Sequence, residues 1–159
     1  MAPQDSYLTT EGLHALEEEL DHLRSVRRLE VAGRIQEAKE VGDLENAEYE
    51  EAKSEQSFVE GRVQELGLLI QNAIIIPDHS RPRSKSDTVE LGSIVKVQGI
   101  TAKRAEIYTI VGSTEANPTQ GRISNESPLG NALLGKKAGE TVKYAVPAGE
   151  QQMKIVSVR

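Results

Sequence analysis

Acidic side chains cluster in the first half of the chain, at Asp43, Glu45 and Glu48. Lys39 and Lys53 are the nearest basic residues on either side. Carboxylates at the start of a helix commonly cap it or stabilise its dipole, so one interpretation is purely structural. Magnesium prefers six oxygen ligands, more than this cluster supplies, so the other interpretation is that it completes a metal site in a second molecule.

Other signatures of catalysis are incomplete. The stretch GNALLGK at 130–136 has the spacing of a P-loop, but Lys137 follows it where a P-loop has Ser or Thr. The chain has no cysteine, which excludes a thiol nucleophile and a cysteine metal site. The histidines have neither the spacing of a helical zinc pair nor a GxSxG motif nearby; they are His14, His22 and His79.

The net charge of −6 divides unequally, with −10 in residues 1–76 and +4 in residues 77–159. Such asymmetry indicates a segregated interaction surface. Aromatic residues are 3 % of the chain, too few to interleave with the basic residues in a base-stacking platform. We expect most of these basic residues in solvated loops and a minority in a docking patch; they are Arg81, Arg83, Lys85, Lys103, Arg104, Lys136 and Lys137.

Two long helices are predicted to place the acidic cluster at the far end of a rod. Apolar residues recur at steps of three and four over 10–40 and again over 47–73, and Gly42 between them is a typical helix stop. Thr9 or Thr10 is expected to cap the first helix. A short connection makes the helices antiparallel neighbours, and their charged outer faces predict a coiled-coil hairpin over residues 1–76, with its tip at 42–48.

The pattern changes after residue 76. Residues 77–88 (PDHSRPRSKSDT) are typical of an exposed linker. Period-two alternation then predicts strands, at 93–97, 105–111, 141–146 and 153–158, with a short helix at 128–134. Residues 89–159 are therefore expected to form a small antiparallel β-domain, which makes the fold class α+β. No apolar run is long enough to cross a membrane, and no secretory signal is recognised, so a cytoplasmic protein is expected.

Several stretches resemble the GreA/GreB family of bacterial transcript-cleavage factors, and GreA more closely than GreB. They are LRSVRR at 23–28, EAKE at 37–40, GDLENAEY at 42–49, LIQNAIII at 69–76 and ISNESPLGNALLG at 123–135. The resemblance covers nearly the whole chain. It implies an N-terminal coiled-coil hairpin and a C-terminal FKBP-like β-domain, which agrees with the fold predicted from the residues.

The resemblance also implies a function. In the family the C-terminal domain docks on the rim of the secondary channel of RNA polymerase, and the hairpin enters the channel. Its tip carboxylates help to hold a magnesium ion at the polymerase active centre, where backtracked nascent RNA is cut near its 3′ end and elongation resumes. The factor itself is then not an enzyme, binds no cofactor alone, shares Mg²⁺ with the polymerase, and needs neither a membrane nor sequence-specific DNA.

By this resemblance Asp43 and Glu45 are the shared metal ligands, and Glu48 and Asn46 are additional tip candidates. Lys39 and Lys53 are candidates for contact with RNA phosphate. Ser127 and Pro128, in the C-terminal signature, are candidates for a structural or polymerase-docking role.

The tip departs from the family pattern Gly-Asp-Leu-x-Glu-Asn-Ala-Glu-Tyr, because Glu45 follows Leu44 directly. Residues three apart share a helix face, whereas residues two apart do not. Asp43 and Glu45 can still meet if Asp43 lies outside the helix. If they do not meet, the protein is expected to behave like Gfh-type relatives, which bind the channel and inhibit the polymerase. A non-catalytic coiled-coil scaffold is a further alternative, although a scaffold needs no carboxylates at its tip.

Overall fold

The structure, a computed structural model, describes residues 4–42, 47–77, 87–101 and 103–159. They divide into two compact units. The hairpin unit contains Leu13–Ala73, and the β-unit contains Ser6–Gly12 and Ile74–Arg159. The predicted fold class, a helical hairpin followed by a β-sheet domain, is confirmed. The part of the predicted linker at 78–86 lies outside the described residues.

The helices of the hairpin begin and end close to the predicted positions. They are α1 (Thr10–His22), α2 (Arg28–Glu40) and α3 (Ala47–Gln71). The predicted long helix over 10–40 is present, and a π-helical segment at Leu23–Arg27 divides it into α1 and α2. The Ser25 hydroxyl donates to the Asp21 carbonyl oxygen at 2.7 Å. Such a bond competes with the helix ladder and bends it. None of the described helices is both long and apolar enough to span a membrane.

A narrow apolar seam joins α2 and α3. Its buried side chains follow the predicted three-and-four spacing; they are Val31, Ile35, Ala52, Val59 and Val63. Arg28 pairs with Glu60, and Arg34 pairs further along α2 with Glu55. Since the α3 partner number falls as the α2 number rises, the two helices are antiparallel, as predicted.

Ion pairs flank this seam. The Arg62 guanidinium donates to both carboxylate oxygens of Glu19, at 2.8 and 3.0 Å, and to Glu65 at 2.8 Å. These hydrogen bonds raise the pKa of Arg62, and the hydrogen bonds to Glu60 raise the pKa of Arg28. The paired carboxylates therefore favour the charged guanidinium and help to hold the register of the hairpin.

The β-unit contains a five-stranded sheet in the order β5-β4-β3-β7-β6. Its strands are β3 (Ile94–Gly99), β4 (Ala105–Val111), β5 (Arg122–Ser124), β6 (Thr141–Val146) and β7 (Gly149–Val158). The prediction of a purely antiparallel sheet was wrong for one pair, because β5 runs parallel to β4. Two 3₁₀ turns, Ser113–Glu115 and Pro118–Gln120, carry the chain back between these strands, so no tight hairpin joins them.

One face of the sheet, called the inner face, holds the core. Val95, Val97 and Ile155 on the sheet pack there with Leu133 of α4 (Pro128–Leu133). Helix α4 approaches the end of β5 closely because Gly130 has no side chain. A Cβ at this position would lie 1.9 Å from the carbonyl oxygen of Ser124. The opposite, outer face of the sheet carries mostly exposed side chains.

The N-terminal segment belongs to the β-unit, which differs from the predicted boundary at residue 76. Strand β1 (Ser6–Leu8) pairs with β2 (Ala73–Ile75), and the Ile76 amide donates to the Leu8 carbonyl oxygen at 2.7 Å. Leu8 and Ile76 are both buried. The predicted second helix therefore ends before Ala73, because the following isoleucines pair as a strand.

A buried carboxylate fixes the start of α1. Glu115 accepts from the Thr9 amide and the Thr9 hydroxyl, both at 2.6 Å, and from Arg122 at 2.8 Å. Its side chain is 8 % exposed. The Thr9 hydroxyl oxygen in turn accepts from the Gly12 amide at 3.0 Å, which confirms Thr9 as the cap of the first helix.

Candidate functional site: the tip of the hairpin

Helix α2 ends at the glycine that the sequence predicts as its stop. Gly42 has a φ of 81°, in the left-handed region that glycine adopts without strain. Its amide donates to the Lys39 carbonyl oxygen at 3.0 Å, which satisfies one of the free carbonyl groups at the helix end. Gly42 thus ends α2 immediately before the predicted tip residues in the sequence.

Acidic side chains gather where α2 ends and α3 begins. A concave surface of about 360 Å³ lies between the two helices; its lining residues are Arg34, Glu37, Ala38, Val41, Glu48 and Glu51. Arg34 pairs with Glu55 outside this lining. The three glutamates leave the surface acidic, and all three are exposed to solvent. Glu48 lies in the first turn of α3, where a negative charge also stabilises the helix dipole.

The predicted ligand pair remains a prediction. Asp43, Glu45 and Asn46 lie outside the described residues. Among the residues that are described, no three Asp, Glu or His side chains are grouped so that they could hold a metal ion. Of the predicted acidic tip residues, only Glu48 is among the described residues, and it is exposed in the first turn of α3.

The two predicted basic contacts lie on α2 and α3, the helices that line this acidic surface, but neither is one of its lining residues. Lys39 is exposed in the last turn of α2, and Lys53 is exposed on the second turn of α3. The Lys53 ammonium donates to the side-chain oxygen of Gln56 at 3.2 Å, an exposed contact within one helix. Both ammonium groups are accessible to an anionic partner.

The predicted docking residues lie on α4 of the β-unit. The Ser127 hydroxyl accepts from the Gly130 amide at 3.1 Å and donates to the Ser124 carbonyl oxygen at 2.6 Å. These bonds make Ser127 the cap of α4. Pro128, the first residue of α4, is exposed. The structure thus accounts for Ser127 through a local structural role and leaves Pro128 accessible.

A groove on the β-unit was not predicted from the sequence. It encloses about 640 Å³ at the end of the inner sheet face, with Tyr108, Tyr144 and Met153 among its lining. Burial, followed by the hydrogen bond from the Tyr108 hydroxyl to Glu106, raises the pKa of Tyr108 to about 12. Burial also raises the pKa of Tyr144. Strand alternation predicts the face of each tyrosine, but the cross-strand register that brings them together is absent from the sequence pattern.

Both halves of the chain match one protein family. Residues 6–75 match the family described as "Transcription elongation factor, N-terminal", and residues 84–159 match "Transcription elongation factor, GreA/GreB, C-term". Transcription elongation factor GreA of Caldanaerobacter subterraneus subsp. tengcongensis is 50 % identical over 153 residues, which cover 96 % of each chain. The factor of the same name from Bacillus cytotoxicus is 48 % identical over 161 residues, covering 100 % of each chain.

A solved structure is also similar. GreA factor homolog 1 (Gfh1) of Thermus thermophilus is 28 % identical, with a TM-score of 0.44, and the match covers 98 % of this chain and 99 % of that chain. A TM-score below 0.5 is too low to support an argument. The family relationship is therefore established by the sequence matches alone.

Proposed function

Since the chain belongs to the GreA/GreB family of transcription elongation factors, we propose that it binds bacterial RNA polymerase and stimulates cleavage of backtracked nascent RNA. In this proposal the hairpin enters the secondary channel, and the cut near the RNA 3′ end returns an arrested complex to elongation. The nuclease activity is that of the polymerase, and the factor acts in the cytoplasm as its cofactor protein.

The observation that carries the proposal is the match of both halves of the chain, in order, to the two domains of the family. The described part of the hairpin agrees with it. Its buried apolar residues pack in the α2–α3 seam, and Glu37, Glu48 and Glu51 are exposed where α2 ends and α3 begins. An acidic rod of this kind suits a positively charged channel, where electrostatic attraction speeds entry.

The proposed chemistry is metal-assisted hydrolysis of a phosphodiester. Asp43 and Glu45 are proposed to contribute oxygen ligands to a magnesium ion that the polymerase also holds. Such an ion activates a water molecule or stabilises the departing oxygen. Glu48 and Asn46 are proposed to support the ligand pair, and Lys39 and Lys53 to contact the RNA phosphates.

The test is RNA cleavage in a stalled, backtracked complex of the cognate polymerase. It compares the wild-type protein with Asp43→Asn/Glu45→Gln, which keeps the shape of both side chains and removes their charge. Factor occupancy is measured separately, with a fluorescent label on the β-unit, so that cleavage rates are compared at equal occupancy. Glu17→Gln/Glu18→Gln, on exposed positions of α1, is the charge-matched control.

We expect magnesium-dependent cleavage with the wild-type protein and the control. The tip variant should lose at least 100-fold in rate, as expected when charged groups that act on the transition state are removed. Equal cleavage by the tip variant at equal occupancy would refute the ligand role of Asp43 and Glu45. Absence of polymerase binding by the wild-type protein would refute the whole proposal and favour a scaffold.

One sequence observation favours a second candidate function. The tip lacks one residue of the family pattern between Leu44 and Glu45. If the short turn separates the two carboxylates, the protein occupies the channel and inhibits the polymerase. Inserting one serine after Leu44 distinguishes the two functions. If the wild-type protein binds the polymerase without stimulating cleavage and the insertion variant stimulates it, the wild-type protein is an inhibitor. Cleavage by the wild-type protein within about tenfold of the insertion variant, or 1.4 kcal/mol, would exclude it.

A further inference from the structure

Three lysines lie in a diagonal row on the outer face of the β-unit sheet. Val97, Val142 and Ile155 are buried on the inner face, so alternation places Lys96, Lys143 and Lys154 on the outer face. All three are exposed. They occupy the adjacent strands β3, β7 and β6, in the order Lys96, Lys154, Lys143.

The strand register fixes the spacing of the row. Lys154 of β7 lies opposite Gln98 of β3 and opposite Thr141 of β6. Lys96 and Lys143 are each two residues from those partners, on opposite sides of Lys154 along the strands. Lys143 is therefore a diagonal neighbour of Lys154, about 7–8 Å away. On the other side the register shifts between Lys96 and Val97, so that β7 has one extra residue there and Lys96 lies opposite Ser157.

The row has little compensating negative charge on its own face. At the outer positions of β3, β6 and β7 the one carboxylate is Glu150, which lies at the β6–β7 hairpin end opposite Ala145. None of the ion pairs between described residues includes a lysine of the row. Like charges on neighbouring strands repel each other. A bound polyanion would offset this repulsion and is therefore favoured electrostatically at the row.

The chemistry of the face indicates which polyanion fits. Amide and hydroxyl side chains that can donate hydrogen bonds flank the lysines; they are Thr141, Gln152 and Ser157. The outer positions of β3, β6 and β7 carry neither an aromatic residue nor an arginine. Single-stranded nucleic acids are held largely by base stacking on aromatic side chains, which this face does not offer. A duplex hides its bases and presents evenly spaced phosphates to point charges such as lysine.

We propose that Lys96, Lys154 and Lys143 form a sequence-independent contact for the phosphate backbone of double-stranded DNA. Three phosphate contacts predict weak binding, with a slope of log K against log salt of about −2.7. This contact depends on the charge and register of the β-unit alone and does not require polymerase binding. Its failure would therefore leave the proposed function untouched.

The test is a titration of the full-length protein with a short DNA duplex, followed by backbone amide NMR shifts and repeated between about 50 and 200 mM salt. Lys143→Gln/Lys154→Gln removes two charges from the row. Lys136→Gln/Lys137→Gln is the matched control, because it removes two charges from the segment after α4, the helix that covers the inner face.

We expect shifts on β3, β6 and β7 with the wild-type protein and the control. The row variant should bind at least tenfold more weakly, and its salt slope should fall to about −0.9. Equal weakening by both variants would overturn the proposal, since only net charge would then matter. Tighter binding of single-stranded RNA of equal phosphate number, or of polyglutamate, would also overturn it, because the face would then serve a different partner.

Discussion

The hairpin unit and the β-unit are stabilised in different ways. The hairpin has a seam one or two side chains wide, and apart from Arg122–Glu115 every ion pair between described residues lies in this unit. The β-unit packs a sheet against α4 over a broader apolar core. This difference matches the proposed roles, in which the hairpin enters the polymerase and the β-unit docks on it.

The largest stability difference should separate the two cores. Leu133 is fully buried against the sheet, whereas Ile35 lies in the narrow seam and is 8 % exposed. Leu133→Ala should lower the free energy of unfolding near the upper end of about 2–5 kcal/mol, and Ile35→Ala near the lower end. Urea unfolding measures the loss, and hydrogen exchange assigns it to a unit. Leu29→Ala, on an exposed position, is the control; equal losses at Leu133 and Ile35 would contradict the comparison.

The Arg122–Glu115 pair, the one ion pair between described residues of the β-unit, should matter more than any single pair of the hairpin. Glu115→Ala leaves the Thr9 amide and the Arg122 guanidinium without their acceptor. The expected loss is about 1–3 kcal/mol in the free energy of unfolding. Glu115→Gln, which keeps one acceptor oxygen, should lose less, and exposed Glu90→Ala should be neutral. A neutral Glu115→Ala would show that water replaces the carboxylate.

The hairpin ion pairs should each contribute little, and their contribution should depend on salt. A double-mutant cycle with Arg62→Met and Glu19→Gln should give a coupling of about 0.2–1 kcal/mol. Raising the ionic strength should reduce it, because salt screens exposed charges. The effect of Leu133→Ala should stay constant over the same salt range. A salt-independent coupling at Arg62 would mean that packing of its stem, and not its charge, stabilises the seam.

The smallest effect should be the alkaline titration of the groove. The raised pKa of Tyr108 means that the folded β-unit favours the neutral phenol, so its contribution is complete below pH 10 and is lost as pH rises towards 12. Ultraviolet absorbance of tyrosinate should show a late step that Tyr108→Phe removes. Glu106→Gln should move that step to lower pH without removing it. A late step that survives Tyr108→Phe would assign it to another tyrosine.

The sequence predicted the hairpin better than the sheet because helix packing leaves a periodic signal. The apolar spacing at Val31, Ile35, Val59 and Val63 specified both helices and the face they share. Strands β1, β2 and β5 have three residues each, too few for alternation to be recognised, and pairing partners define them. The π-helical segment at Leu23–Arg27 has no period of its own either.

The candidate sites divide in the same way. Gly42 and Thr9 act through their own backbone neighbours, and their roles followed from local sequence. The lysine row and the Tyr108–Tyr144 groove depend on cross-strand register, which joins residues far apart in the chain. Asp43 and Glu45 were selected by their position in a resemblance, in a stretch of sequence that is one residue shorter than the family pattern.

The most direct test of the central claim measures binding and cleavage separately for one variant in each unit. Asp43→Asn/Glu45→Gln changes the hairpin end, and Pro128→Glu changes an exposed position of α4 without removing the Ser127 cap. With the cognate polymerase, the first should bind within about twofold of wild type yet fail to cleave at saturation. The second should bind more weakly yet cleave at the wild-type rate once saturated. Loss of binding by the tip variant, or loss of cleavage at saturation by Pro128→Glu, would contradict a hairpin that acts and a β-unit that docks.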